Sequence, residues 1–210
     1  MMKKLLFILA AMLAAQAALA QEQDKKFYVF GQIGSASVDI DKANDDAALI
    51  GAGAVGLQSS VNQSAGAVLI GAGYMFNPRA SVELGFLKAN DFTYKATFAQ
   101  GTATDNFSGS GVGVNLVGYL PLGERISAYG KLGIWSMSVD ETATINAAGF
   151  GQATASSSNT TPMLGLGVDF KVFDQLSLRA EYDYFNKIGD DSTIGSSKLS
   201  FLSAGVALHF

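Results

Sequence analysis

The stretch that most constrains the fold is the carboxy-terminal one, Lys198 to Phe210. Leu202, Ala204, Val206 and Leu208 are apolar, while Ser203, Gly205, Ala207 and His209 between them are polar or small. Strict alternation of this kind predicts a β-strand with one greasy face and one tolerant face. A strand that ends on an aromatic residue would leave an open edge, which in a water-soluble protein is a template for aggregation. Pairing it with the first strand closes a barrel and removes both edges.

The opposite end predicts export. Lys3 and Lys4 precede an apolar run from Leu5 to Ala15, and Ala18-Leu19-Ala20 supplies a small-x-small cleavage site. That run is shorter than the ~18–20 residues a helix needs to span a bilayer, so residues 1–20 are expected to be a cleaved signal peptide and 21–210 the barrel domain. Loss of the two lysines leaves 12 basic against 18 acidic residues, a net charge of −6. Nucleic acid is thereby excluded as an expected partner, because phosphate binding requires a basic stripe. With no cysteine in the chain, neither a disulfide scaffold nor thiol chemistry is available.

Every later apolar stretch is interrupted by Gly, Ser, Asn or charge well short of a helical span, yet 49% of residues are hydrophobic and only 15% charged. Strands of ~9–11 alternating residues reconcile these facts. Outward apolar sets recur at Phe27, Val29 and Ile33; Val68, Ile70, Tyr74 and Phe76; Val82, Leu84 and Phe86; and Val112, Val114, Leu116 and Leu120. They continue at Leu132 and Ile134; Leu164, Leu166, Val168 and Phe170; and Leu178, Ala180, Tyr182 and Tyr184, before the closing strand. Short turns at Asn77-Pro78-Arg79, Pro121–Arg125 and Phe173–Gln175 alternate with long connections at about 39–65, 88–106, 140–161 and 186–197, all read as exposed loops. The pattern predicts an all-β fold, an eight-stranded antiparallel up-and-down transmembrane β-barrel. A soluble barrel would need bulk on the inner face, where this chain places glycines and charges.

Inward-facing ionisable residues are Glu83, Lys131, Asp169, Arg179 and Glu181, all about four to six residues above their nearest short turn. An eight-stranded barrel is only wide enough for its own side chains, so these five are expected to meet as one lumen charge belt, either a structural plug or a gate. Asp183, two positions beyond Glu181, reads as a loop-base charge. No nucleophile–base constellation exists, since the sole histidine, His209, falls at the short-turn end, and neither an enzyme, a cofactor nor a metal is expected.

The chain resembles the transmembrane barrel domain of OmpA-type outer-membrane proteins. The matching stretches are Gly73–Pro78 running into Val82–Phe86, Tyr129–Gly133, Gly167–Phe170, Leu178–Tyr182, Asn186–Asp190 with Thr193–Gly195, and Leu202–Phe210. This resemblance implies a monomer in the outer membrane of a Gram-negative bacterium, in contact with its lipid and lipopolysaccharide. It further implies that Phe210, Leu208 and Val206 form a barrel-closing assembly signal for the insertion machinery. Two departures stand out: Asn115 occupies the place of an inward lysine on the fourth strand, and no peptidoglycan-binding domain is expected after Phe210. The expected function is a structural role in the envelope with a small, gated, non-specific pore. The alternative is surface recognition, as an adhesin or a host- or phage-binding protein, through the loops.

Overall fold

The computed structural model describes residues 26–147, 151–190 and 195–210. The expected signal peptide and cleavage site, residues 1–20, lie outside the described residues. In chain order the elements are β1 (Phe27–Val38), α1 (Lys42–Gly51), β2 (Gln58–Asn62), β3 (Ser64–Asn77), β4 (Ala80–Phe98), β5 (Gly101–Pro121), β6 (Ile126–Asn146), β7 (Gln152–Phe173), β8 (Leu176–Asp190) and β9 (Gly195–His209).

All strand pairs are antiparallel, and eight strands form a closed ring in which β1 joins β9 on one side and β3 on the other. The seam runs from Tyr28 opposite His209 to Val38 opposite Leu199, and the Phe210 amide donates to the Phe27 carbonyl at 2.9 Å. No strand edge remains along this seam, as the closing-strand pattern requires. At the short-turn end, Asn77 accepts a 2.8 Å hydrogen bond from the Arg79 amide through its side chain. Pro78 between them has its φ fixed for such a turn.

The outward faces follow the alternation. Ile33, Leu84, Leu116, Ile134, Leu166 and Leu202 are all exposed on the outside of the ring, where lipid replaces water as the solvent for apolar side chains. Their inward neighbours are buried or half-buried, so across the apolar band both faces follow the sequence reading.

The long connections differ from expectation. β4 to β7 are 19 to 22 residues long, about twice what a tilted strand needs to cross a bilayer. Residues 88–106 and 140–161, read as loops, are largely upper halves of strands. Outside the membrane nothing demands an apolar outward face, so Ser136, Ser138, Ser156, Ser158 and Thr160 stand there, and Ser138 and Ser158 bond side chain to side chain at 2.8 Å. A bulge between Ala89 and Phe92 places two successive residues outward and turns Phe92 back into the lumen. Residues 186–197 likewise contribute the ends of β8 and β9, which pair as far as Asp190 opposite Gly195.

Residues 39–65 hold α1 and β2. Asp41 caps α1, its carboxylate accepting from the Ala43 and Asn44 amides at 3.1 and 3.2 Å. The ninth strand, β2, pairs with β4 above the point where β3 leaves it. α1 lies over the mouth: Leu49 packs on the buried cluster of Tyr94, Ala96 and Ala103, and Asp46 takes 2.7 and 2.6 Å bonds from Lys42 and Tyr94. Those bonds, Lys42 foremost, hold the Asp46 carboxyl down at about 2. Because the docked form has the lower value, docking is fully supported above the ordinary carboxylate range of ~4 and is lost as pH falls through about 2. Amide hydrogen exchange in α1 should therefore accelerate across that window, and Asp46→Ala should show the fast exchange already at neutral pH.

Candidate functional site

The lower lumen is filled by charge. Glu83 on β4, Lys131 on β6 and Arg179 and Glu181 on β8 are all at most 4% exposed. Lys131 Nζ lies 2.9 Å from Glu83 Oε2 and 2.7 Å from Glu181 Oε2. Arg179 Nη1 donates to Glu83 Oε1 at 2.8 Å, and its Nε sits 3.5 Å from Asp169 Oδ2. The structure thus brings all five sequence-derived residues into one continuous network. Both cations engage Glu83, which links strands on opposite parts of the ring.

The strands set this geometry. Asp169 on β7 lies directly opposite Arg179 in the ladder, and Glu181 lies opposite Gly167. Gly167 leaves the space into which the Tyr129 ring folds from β6, and a Cβ there would collide with that ring. The ring then carries the Arg179 guanidinium 4.6 Å from its centroid.

A layer of hydroxyls completes the belt and was missed from sequence. Tyr28 donates to Glu83 Oε1 at 2.8 Å, Tyr129 to Glu181 Oε2 at 2.7 Å, and Ser177 to Asp169 Oδ2 at 2.8 Å. Arg179 Nη2 donates to the Tyr119 hydroxyl at 3.3 Å. These residues share the inward parity of the charges and lie close to them along their strands; parity combined with height is the signal that finds them. Asp183 also differs from its reading as a loop-base charge: it is 1% exposed, inside the barrel, with Oδ1 lodged over Gly165. Glu181 and Lys131, of opposite sign to each other, are both within electrostatic reach of it. His209 sits at the short-turn end as expected, stacked on Tyr28 at 5.1 Å with Nε2 3.4 Å from Ser177 Oγ.

Above the belt the lumen becomes apolar. Asn115, which stands where the resemblance leads one to look for a lysine, accepts a 2.8 Å hydrogen bond from Trp135 Nε1. Trp135 packs edge-on against Phe185 with centroids 5.5 Å apart. At the closing strand, Val206 and Leu208 pair with β1 on one side and β8 on the other.

Comparison with known proteins places this arrangement. A family model described as the OmpA-like transmembrane domain matches residues 22–210. Outer membrane protein A of Salmonella typhi is 26% identical over 220 residues, covering 100% of this chain and 56% of that protein. The chain therefore spans about half the length of that curated relative. Among solved structures, Neisserial surface protein A superposes with a TM-score of 0.58 at 16% identity, covering 88% of this chain and 97% of the other. Ail, the attachment invasion locus protein of Yersinia pestis, superposes with a TM-score of 0.50 at 17% identity, covering 88% and 99%. At such identities the two structures share the fold alone, whereas the family model covers the strands, the turns and every residue of the belt. The chain belongs to the OmpA-like transmembrane domain family, the β-barrels of the Gram-negative outer membrane.

Proposed function

We propose that this protein is a structural barrel of the outer membrane whose lumen is sealed by the charge belt, with small-solute permeation only when the belt re-pairs. The observation that carries this reading is the double engagement of Glu83 by Lys131 and Arg179. An eight-stranded barrel leaves room only for its own side chains, so ion pairs across its width obstruct any continuous water path. Rare openings then correspond to Arg179 leaving Glu83, with Asp169 as a nearby alternative partner. Planar-bilayer recording of the refolded protein tests this. Infrequent small openings are expected, and Arg179→Ala should raise their frequency or size several-fold. Unchanged conductance in that variant would refute the gate and leave a purely structural plug.

The last strand supports a monomer inserted through its carboxy-terminal pattern. Phe210 joins β1 through its amide, and Val206 and Leu208 lie in the seam. Deleting Phe210 should leave export intact and lower the amount of heat-modifiable barrel in the membrane; undiminished barrel would remove the assembly role.

A second reading, surface recognition, is favoured by one observation. The upper halves of β4 to β7, with β2, form an ordered hydrogen-bonded sheet beyond the apolar band, and a rigid platform suits binding better than slack loops. Shortening the β6–β7 hairpin while the barrel stays heat-modifiable separates the readings: lost adhesion with unchanged envelope integrity would favour recognition.

A further inference from the structure

The upper lumen contains a cavity of about 300 Å³ that the belt does not use. Most of its wall is apolar: Leu87, Phe92, Met137, Val139, Ile188 and Leu199 all line it, and each is itself at least nine-tenths buried. The volume reaches the lower end of what small-molecule sites occupy.

The mouth has the opposite character. Asp41 and Asp45 of α1 line the cavity from above. Inward alternation carries Val139 on to Glu141 in β6 and Phe107 back to Asp105 in β5, and those two residues are half-buried just beyond the apolar wall. Asp45, Asp105 and Glu141 lie within electrostatic reach of one another. Asp41 is engaged in capping α1, and Lys42 is bonded to Asp46. Burial pushes the Asp45 carboxyl upward, and the neighbouring carboxylates Asp41 and Asp46 push it further the same way. Opposite charge from a ligand would relieve that repulsion. A bare metal ion is a poor candidate, since among the described residues no three ligating side chains are close enough to share one. An organic ammonium needs no closed shell of ligands, only a negative field at the mouth, and its tail would fill the apolar space.

We infer that the outer lumen is a binding site for small amphiphilic cations, an ammonium group at Asp45, Asp105 and Glu141 with an apolar chain among Leu87, Met137 and Val139. Each methylene placed in the cavity adds to affinity through the hydrophobic effect, and the acidic mouth sets the sign of the headgroup. The site lies above the belt and does not depend on whether the belt conducts.

Three probes with one tail test it: hexylammonium, 1-hexanol and hexanoate, titrated against the protein refolded in zwitterionic-lipid nanodiscs. Methyl NMR of Met137 reports occupancy of the cavity rather than partition into lipid. Hexylammonium should bind at least tenfold more tightly than 1-hexanol, and hexanoate more weakly still. Asp45→Asn with Glu141→Gln should erase most of the preference while leaving 1-hexanol unchanged. Ala89→Phe, which fills the cavity, should abolish the shift for every probe. If Ala89→Phe does not fold, the mouth variant decides alone, because those positions are half-exposed. Equal binding of all three probes, a preference that survives the mouth variant, or no shift at Met137 would each overturn the proposal.

Discussion

Replacing Arg179 with alanine should lower the stability of the refolded barrel by about 3–5 kcal/mol, the loss typical when one partner of a buried ion pair is removed. The size follows from what is left behind. Glu83 loses its 2.8 Å bond from Arg179 Nη1, Asp169 loses its nearest cation at 3.5 Å, and Tyr129 loses the guanidinium over its ring. Lys131 would then face Glu83 and Glu181 as the sole cation of the network. Urea titration in lipid vesicles, followed by fluorescence of the single tryptophan, gives the difference directly. Arg179→Lys should restore only part of it, because a compact ammonium cannot reach Glu83, Asp169 and Tyr119 together as the planar fork does. In a double-mutant cycle, Glu83→Gln should cost less in the Arg179→Ala background than alone, since the charge it removes is by then poorly paired. A loss below about 1 kcal/mol, the range of an exposed pair, would show that the belt is not what braces the barrel.

The barrel itself was legible because two physical demands write themselves into the residues. Lipid requires an apolar outward face, which gave Leu164, Leu166 and Val168 their spacing, and a narrow lumen requires small or polar inward residues such as Gly165, Gly167 and Asp169. Parity plus distance from a turn sufficed to collect Glu83, Lys131, Asp169, Arg179 and Glu181. It did not reveal which cation meets which carboxylate, because that depends on strand stagger and side-chain reach across the ring.

Two regions were illegible for reasons that are also physical. Above the membrane the outward face is free of the lipid demand, so stretches such as Asp140-to-Asn146 and Gln152-to-Thr161 are polar or small on that face and resemble loops; cross-strand pairing defines them. The upper lumen misled in the other sense. Leu87, Met137, Val139 and Leu199 are inward and apolar, whereas the sequence reading singled out the glycines and charges of the inner face. The bulge between Ala89 and Phe92 compounds this, since it reverses the parity of every later residue in β4.

Trp135→Ala should remove about 3–5 kcal/mol, as large aromatic truncations in packed interiors do, through packing rather than charge. Trp135 is 1% exposed and stands two inward positions above Lys131, between the belt and the outer cavity. Its ring occupies the space left by Gly113, where any Cβ would collide with it, and meets Phe185 edge-on. Phe185 and the backbone at Gly85 and Gly113 border the ring, and the ladder holding those strands limits how far the hole can close. Truncation also leaves Asn115 Oδ1 without its donor. Trp135→Phe separates the two losses: it retains much of the volume and forfeits the hydrogen bond, for roughly 1–3 kcal/mol. Because the substitution removes the only tryptophan, unfolding has to be followed by far-ultraviolet circular dichroism or by gel mobility. If the alanine variant loses no more than the phenylalanine one, the ring's volume is not what stabilises this layer. Conductance then discriminates layer from belt. Arg179→Ala should perturb both stability and openings, whereas Trp135→Ala leaves the Glu83–Arg179 contact in place and should weaken the barrel without increasing its openings. An increase in openings equal to that of Arg179→Ala would move the barrier to permeation from the ion pairs to the aromatic layer above them.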